Sequence, residues 1–205
     1  MKKNFKLLIH ELKHHLPFTA TATLIAVLIT FLLLKIPNFN SETSFEILHP
    51  LHIVASSIVT SALFYCYKKN YLQAALVGIS GAIIIGSISD IIFPYLGGLI
   101  FQLKPEFHLP ILEKPILILS TAIIGAAIGI PSKITKLPHF IHVFLSVFAS
   151  LFYLLAFSTT FSIAYFVVAF IIVFIAVIIP CCISDIVFPF LFIGENIKHC
   201  ECRTH

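Results

Sequence analysis

Apolar residues run almost without interruption over positions 16–36, 48–67, 71–101, 115–131, 138–157 and 159–193, with short polar breaks between the runs. Each run is long enough for the roughly 20 residues with which an α-helix crosses a bilayer core. The short alternating segments of a membrane barrel are missing, and unpaired backbone groups are too costly in lipid for other spanning forms. The pattern predicts an all-α integral membrane protein with six transmembrane helices. Two of the runs exceed a plain span and carry helix-breaking residues: Gly86, Pro94, Gly97 and Gly98 in the first, Pro180 and Pro189 in the second. Proline lacks an amide donor and clashes with the preceding turn, so the third and sixth helices are expected to break near an Asp-x-x-x-Pro sequence.

That sequence occurs twice. Ile88-Ser89-Asp90-Ile91-Ile92-Phe93-Pro94-Tyr95-Leu96 returns as Ile183-Ser184-Asp185-Ile186-Val187-Phe188-Pro189-Phe190-Leu191, with seven of nine positions identical. His49-Pro50-Leu51-His52 opens the second helix as His139-Phe140-Ile141-His142 opens the fifth, and each pair is followed by hydroxyls one helical period apart, Ser56 and Thr60 or Ser146 and Ser150. The chain therefore divides into a cytoplasmic N-terminal segment (1–13), a first three-helix repeat (14–103), an outer loop (104–111), a second three-helix repeat (112–194) and a cytoplasmic His/Cys tail (195–205). Three helices is an odd number, so the second repeat enters the membrane inverted, a plan common among secondary transporters.

Composition removes the soluble alternative: 59% of residues are apolar, 11% are charged and the mean hydropathy is +1.05. The net charge of +4 matters less than its placement. Ten of the thirteen lysines and arginines fall before helix 1, between helices 2 and 3, between helices 4 and 5, or after helix 6. The positive-inside rule then puts both termini of this multi-pass protein in the cytoplasm, with the inner or plasma membrane as its location. The basic excess reports topology and anionic lipid contact, and no nucleic-acid partner is implied. No cleavable signal peptide is expected, and the cysteines, near cytoplasmic helix ends or in the tail, are expected as reduced thiols.

Asp90 and Asp185 are the only acidic residues inside the long apolar runs, where an ionisable group is costly enough to mark function by default. Histidines at i and i+3 share a helix face, so His49 and His52 with Asp90, and His139 and His142 with Asp185, each offer two imidazoles and a carboxylate to one ion. Such donors suit a divalent metal as substrate, Zn, Mn, Fe, Co or Ni, and no organic cofactor is implied. Ser56, Thr60, Ser146 and Ser150 would line the path. The two groups are either gates at opposite faces or parts of one central site, and the sequence leaves both open. Other readings of the same residues are an Asp that caps an interfacial helix, histidines that hydrogen-bond in the headgroup region, and a proton relay. The tail adds His199, Cys200, Cys202 and His205 as accessory ligands.

Lys13-His14-His15 before helix 1 and His49-Pro50 at the start of helix 2 resemble features of bacterial and archaeal multi-pass proteins described as heavy-metal or manganese exporters. The resemblance implies metal export as the form of transport. Two enzymatic patterns compete. His10-Glu11-Leu12-Lys13-His14 fits His-Glu-x-x-His and resembles the motif of intramembrane zinc metalloproteases, with Asp185 as a third ligand. The cytoplasmic histidines together resemble the histidine boxes of membrane di-iron desaturases. A non-catalytic membrane scaffold is the remaining alternative; it would leave both aspartates as solvent-facing caps. The reading favoured here is a secondary transporter of a divalent transition-metal ion, with the bilayer and the ion as its partners; a homodimer is compatible with this plan and not required by it.

Overall fold

A computed structural model of the chain describes residues 2–132, 136–159 and 163–182, with side chains described outside 2–15, 18, 136–140, 163 and 181–182. Among the described residues every regular element is helical: α1 (Lys2–Leu33), α2 (Ser41–Tyr67), α3 (Tyr71–Ser87), a π turn (Ile88–Ile92), α4 (Phe93–Ile100), α5 (Pro110–Glu113), α6 (Pro115–Ser132), α7 (Lys136–Phe157) and α8 (Ile163–Cys182). Three helical stretches, Ser41–Tyr67, Tyr71–Ile100 and Pro115–Ser132, are long and apolar enough to cross a membrane. Thr19–Leu33, Ile141–Phe157 and Ala164–Pro180 are shorter apolar helices.

Local chemistry sets the helix starts. The Asn40 side chain accepts from the Thr43 amide at 3.0 Å and Asn70 accepts likewise from Gln73 at 3.0 Å, each satisfying an amide that a helix start leaves without a partner. Asn40 therefore starts α2 seven residues before its apolar run. At the other boundary, α1 reaches back to Lys2, so residues 2–13 are helical and continuous with the first run. The expected break near Asp90 takes a milder form: α3, the π turn and α4 make one uninterrupted helical path, and Pro94 lies in the first turn of α4, where its missing amide is tolerated.

Helix α2 is the axis of the bundle, in contact with α3, α6 and α7. It runs antiparallel to α7: Phe45 meets Tyr153 at 5.4 Å between ring centroids, while His52, further along α2, meets His142, earlier on α7, at 4.9 Å. Small residues let the other neighbours come close. A Cβ built on Gly125 of α6 would lie 2.5 Å from the Val54 carbonyl oxygen, and one on Gly78 of α3 would lie 2.6 Å from Ser61 Cβ. Ser57 adds a hydrogen bond to the Ala122 carbonyl at 2.7 Å, tying α2 to α6. The remaining neighbours include α3 with α6, α1 with α7 and α8, and α7 with α8.

The bundle has an apolar core, yet it also exposes rows of large apolar side chains and buries a set of polar ones. Leu24, Leu28 and Leu32 on α1, and Val167, Ile171, Ile175 and Ile179 on α8, face outward at four-residue spacing. Thr19, Thr23, His49, His52, Ser56, Ser57, Thr60, Ser61, Asp90, Ser146 and Ser150 are all buried. Cys66, at the end of α2, is disulfide-bonded, which corrects the expectation of a reduced thiol at this position.

Candidate metal centre

Asp90 is fully buried inside the bundle and has four side-chain partners. Its Oδ2 is 2.8 Å from His49 Nδ1 and 2.6 Å from His52 Nδ1. Its Oδ1 accepts from Ser89 Oγ and Ser146 Oγ, both at 2.8 Å. An ionised carboxylate only accepts, and two donors on each oxygen satisfy it fully. Such pairing makes a carboxylate tolerable where water cannot reach it. Both imidazoles then carry their proton on Nδ1, which turns each Nε2 away from Asp90. His49 Nε2 is buried and has no hydrogen-bond partner among the described residues. His52 Nε2 lies 3.1 Å from His142 Nδ1 on α7.

The sequence brings these groups together by simple means. His49 and His52 are one turn apart on α2 and so share its inner face. Asp90 approaches from the π turn, in which the Phe93 amide bonds to the Ile88 carbonyl five residues back. One extra residue per turn shifts the side-chain register, a deformation frequent at functional sites. The Ser89 carbonyl is left in an unusual position: the Phe93 amide is spent on Ile88, and the amide five residues on would be that of Pro94, which has none. Ser150 Oγ fills the vacancy at 3.0 Å.

An aromatic layer covers the site toward the start of α2. The ring of Phe45, fully buried, stacks on His49 at 5.5 Å and meets His108 edge-on at 5.9 Å. Beyond it lie a contact of His108 Nδ1 with the Glu113 carboxylate at 2.9 Å and the ion pair of Lys114 with Glu46, where the chain reaches solvent. The Tyr153 hydroxyl ties the 101–109 loop to α7 by donating to the Glu106 carbonyl at 3.1 Å.

Of the residues singled out in the sequence, His49, His52, Asp90 and His142 meet in this one cluster. The sequence left open whether the two histidine groups are separate gates; His142 lies against His52. Ser146 hydrogen-bonds to Asp90 and Ser150 to the Ser89 backbone. Ser56 and Thr60 are buried on α2, and Thr60 Oγ1 has no hydrogen-bond partner among the described residues. His139 is on α7, but its side chain is outside the description, as are those of His10, Glu11 and His14 on α1. Asp185, His199, Cys200, Cys202 and His205 lie outside the described residues. The capping alternative fails for Asp90, which bonds to side chains of α2 and α7 and caps no helix. Two partners had no assigned role: Ser89, although Ser-Asp recurs at 184–185, and Phe45, whose four-residue spacing from His49 was the available signal.

Among the described residues, His49, His52 and Asp90 form a buried group able to hold a metal ion, with one ligand atom from each within 4.8 Å of the others. Two nitrogens and one oxygen at such spacing suit a borderline divalent ion. No family model, no curated protein and no solved structure matches the chain.

Proposed function

We propose that this chain is a six-span membrane protein of two inverted three-helix repeats, acting as a secondary transporter, in the export direction, of a divalent transition-metal ion. Its substrate site is the cluster of His49, His52, Asp90 and His142. The observation that carries the reading is the fully buried Asp90 carboxylate held by His49 and His52 from one half of the chain and by Ser146 from the other. A site shared between repeats is where carriers of this plan bind substrate, because relative motion of the halves then opens it to either side.

Two further observations support the membrane plan. Exchanging α1 with α6, α2 with α7 and α3 with α8 maps the contacts of α2 with α3, α2 with α6 and α3 with α6 onto those of α7 with α8, α7 with α1 and α8 with α1, and all six contacts occur. The outward face of leucine, isoleucine and valine, around an interior that also buries a cluster of polar groups, suits lipid rather than water. A scaffold has no use for a buried carboxylate whose desolvation is costly, which favours transport over that alternative. His139 and Asp185 belong to the same proposal as the second-repeat counterparts of His49 and Asp90.

In this reading the metal exchanges part of its hydration shell for donors of this cluster, and the Phe45 layer separates the site from the solvent-reaching end of α2. The sequence carries no Gly-x-x-x-x-Gly-Lys pattern to bind ATP, and in this reading the energy comes from a proton or ion gradient or from a partner protein. Divalent-metal flux in proteoliposomes, with Asp90→Asn run beside the unaltered protein, tests the proposal.

A further inference from the structure

We propose that the ion is gripped between the halves of the chain, by His52 Nε2 of α2 and His142 Nδ1 of α7, and that Asp90 positions His52 without touching the metal. This rests on the metal-transport reading above and assigns its ligand atoms.

Two observations lead there. Asp90 Oδ2 already takes the Nδ1 protons of both His49 and His52. His52 therefore presents its Nε2 lone pair to the far side, and that atom lies 3.1 Å from His142 Nδ1. Two imidazole nitrogens bound to one tetrahedral ion at about 2.0–2.1 Å each stand about 3.3 Å apart. The two nitrogens thus need to part by a few tenths of an ångström, with both rings turning so that their lone pairs converge on the ion. A carboxylate on the outer nitrogen of a metal-binding histidine is the usual arrangement for fixing its tautomer and raising its basicity.

Loading is balanced without leaving a buried charge on either ring. The proton between the two nitrogens gives way to the metal, and His142 takes its other tautomer, with the hydrogen on Nε2. Both imidazoles stay neutral, and the remaining coordination positions belong to water or further ligands, as an ion in transit requires. Because α2 and α7 come from opposite halves, parting them pulls the two ligands apart and releases the ion.

The test is cobalt(II) titration of the purified full chain in detergent, followed by visible and near-ultraviolet absorption, with the five native cysteines replaced by serine so that no other thiol can bind the ion. His142→Ala should weaken binding at least about tenfold. His142→Cys should restore binding and add a thiolate-to-cobalt charge-transfer band, a signature that a merely structural role for this position would not produce. Asp90→Asn should weaken binding about 10–100-fold, the usual effect of losing an outer-shell partner. At saturation Asp90→Asn and His49→Ala should leave the shape of the cobalt spectrum unchanged. An altered spectrum in either of those variants, or His142→Cys without the thiolate band, overturns the assignment while metal binding itself stands. Absence of cobalt binding by the unaltered chain overturns both this assignment and the transport reading.

Discussion

Ser150 on α7 donates its hydroxyl to the carbonyl of Ser89 at 3.0 Å, sharing the proton with its own helix at the Ser146 carbonyl, 2.7 Å away. The bond exists because Pro94 leaves the Ser89 carbonyl without a helical donor. Ser150→Ala should therefore cost about 1–3 kcal/mol, the penalty of a buried acceptor left unpaired. In a Pro94→Ala background the carbonyl regains an amide, and the same substitution should cost much less. Unfolding of the two single variants and the double variant in detergent measures that coupling.

Asp90 holds four donors, so its removal is worse than its neutralisation. Asp90→Ala leaves two imidazole N–H groups and two hydroxyls unpaired and should destabilise by about 3–5 kcal/mol, as breaking a buried charged cluster does. Asp90→Asn keeps one acceptor oxygen and should cost less than the alanine variant. Melting temperatures of both proteins check the order.

The approach of α6 to α2 depends on glycine. A Cβ at Gly125 would press against the Val54 carbonyl at 2.5 Å and Ser57 Cβ at 2.7 Å, both on the helix that carries His49 and His52. Gly125→Ala should destabilise by about 1–3 kcal/mol, the usual cost of overpacking. Gly125→Leu should prevent recovery of monodisperse protein. Size-exclusion profiles and melting curves separate the two.

The membrane orientation has its own test. With the five cysteines replaced by serine, Lys104→Cys in the 101–109 loop should react with a membrane-impermeant maleimide in intact cells. Lys69→Cys between α2 and α3 should react only after permeabilisation. Labelling of both positions from the same side would contradict the topology.

The sequence reveals the helices and the chemistry more readily than their meeting point. Hydrophobic run length marks the helices because lipid thickness and backbone satisfaction leave little choice. The polar groups of the cluster stand out because aspartate and histidine are costly in apolar runs. What periodicity cannot reveal is how far α2 and α7 slide past each other, and that offset alone decides whether His142 reaches His52. The π turn is equally hidden, since Ile88–Ile92 has the composition of an ordinary helix and only Pro94 hints at a disturbance. The early start of α2 depends on a single side chain, the Asn40 cap, whose effect lies outside any hydrophobic pattern.

Metal flux separates a transporter from every alternative role for this cluster. Purified protein in proteoliposomes, loaded inside or outside with zinc, manganese or cobalt, should move at least one of these ions down its gradient. Asp90→Asn, folded by its melting curve, should reduce that flux at least about tenfold. No flux of any divalent ion in either direction from folded, unaltered protein, or full flux through Asp90→Asn, would contradict the central claim.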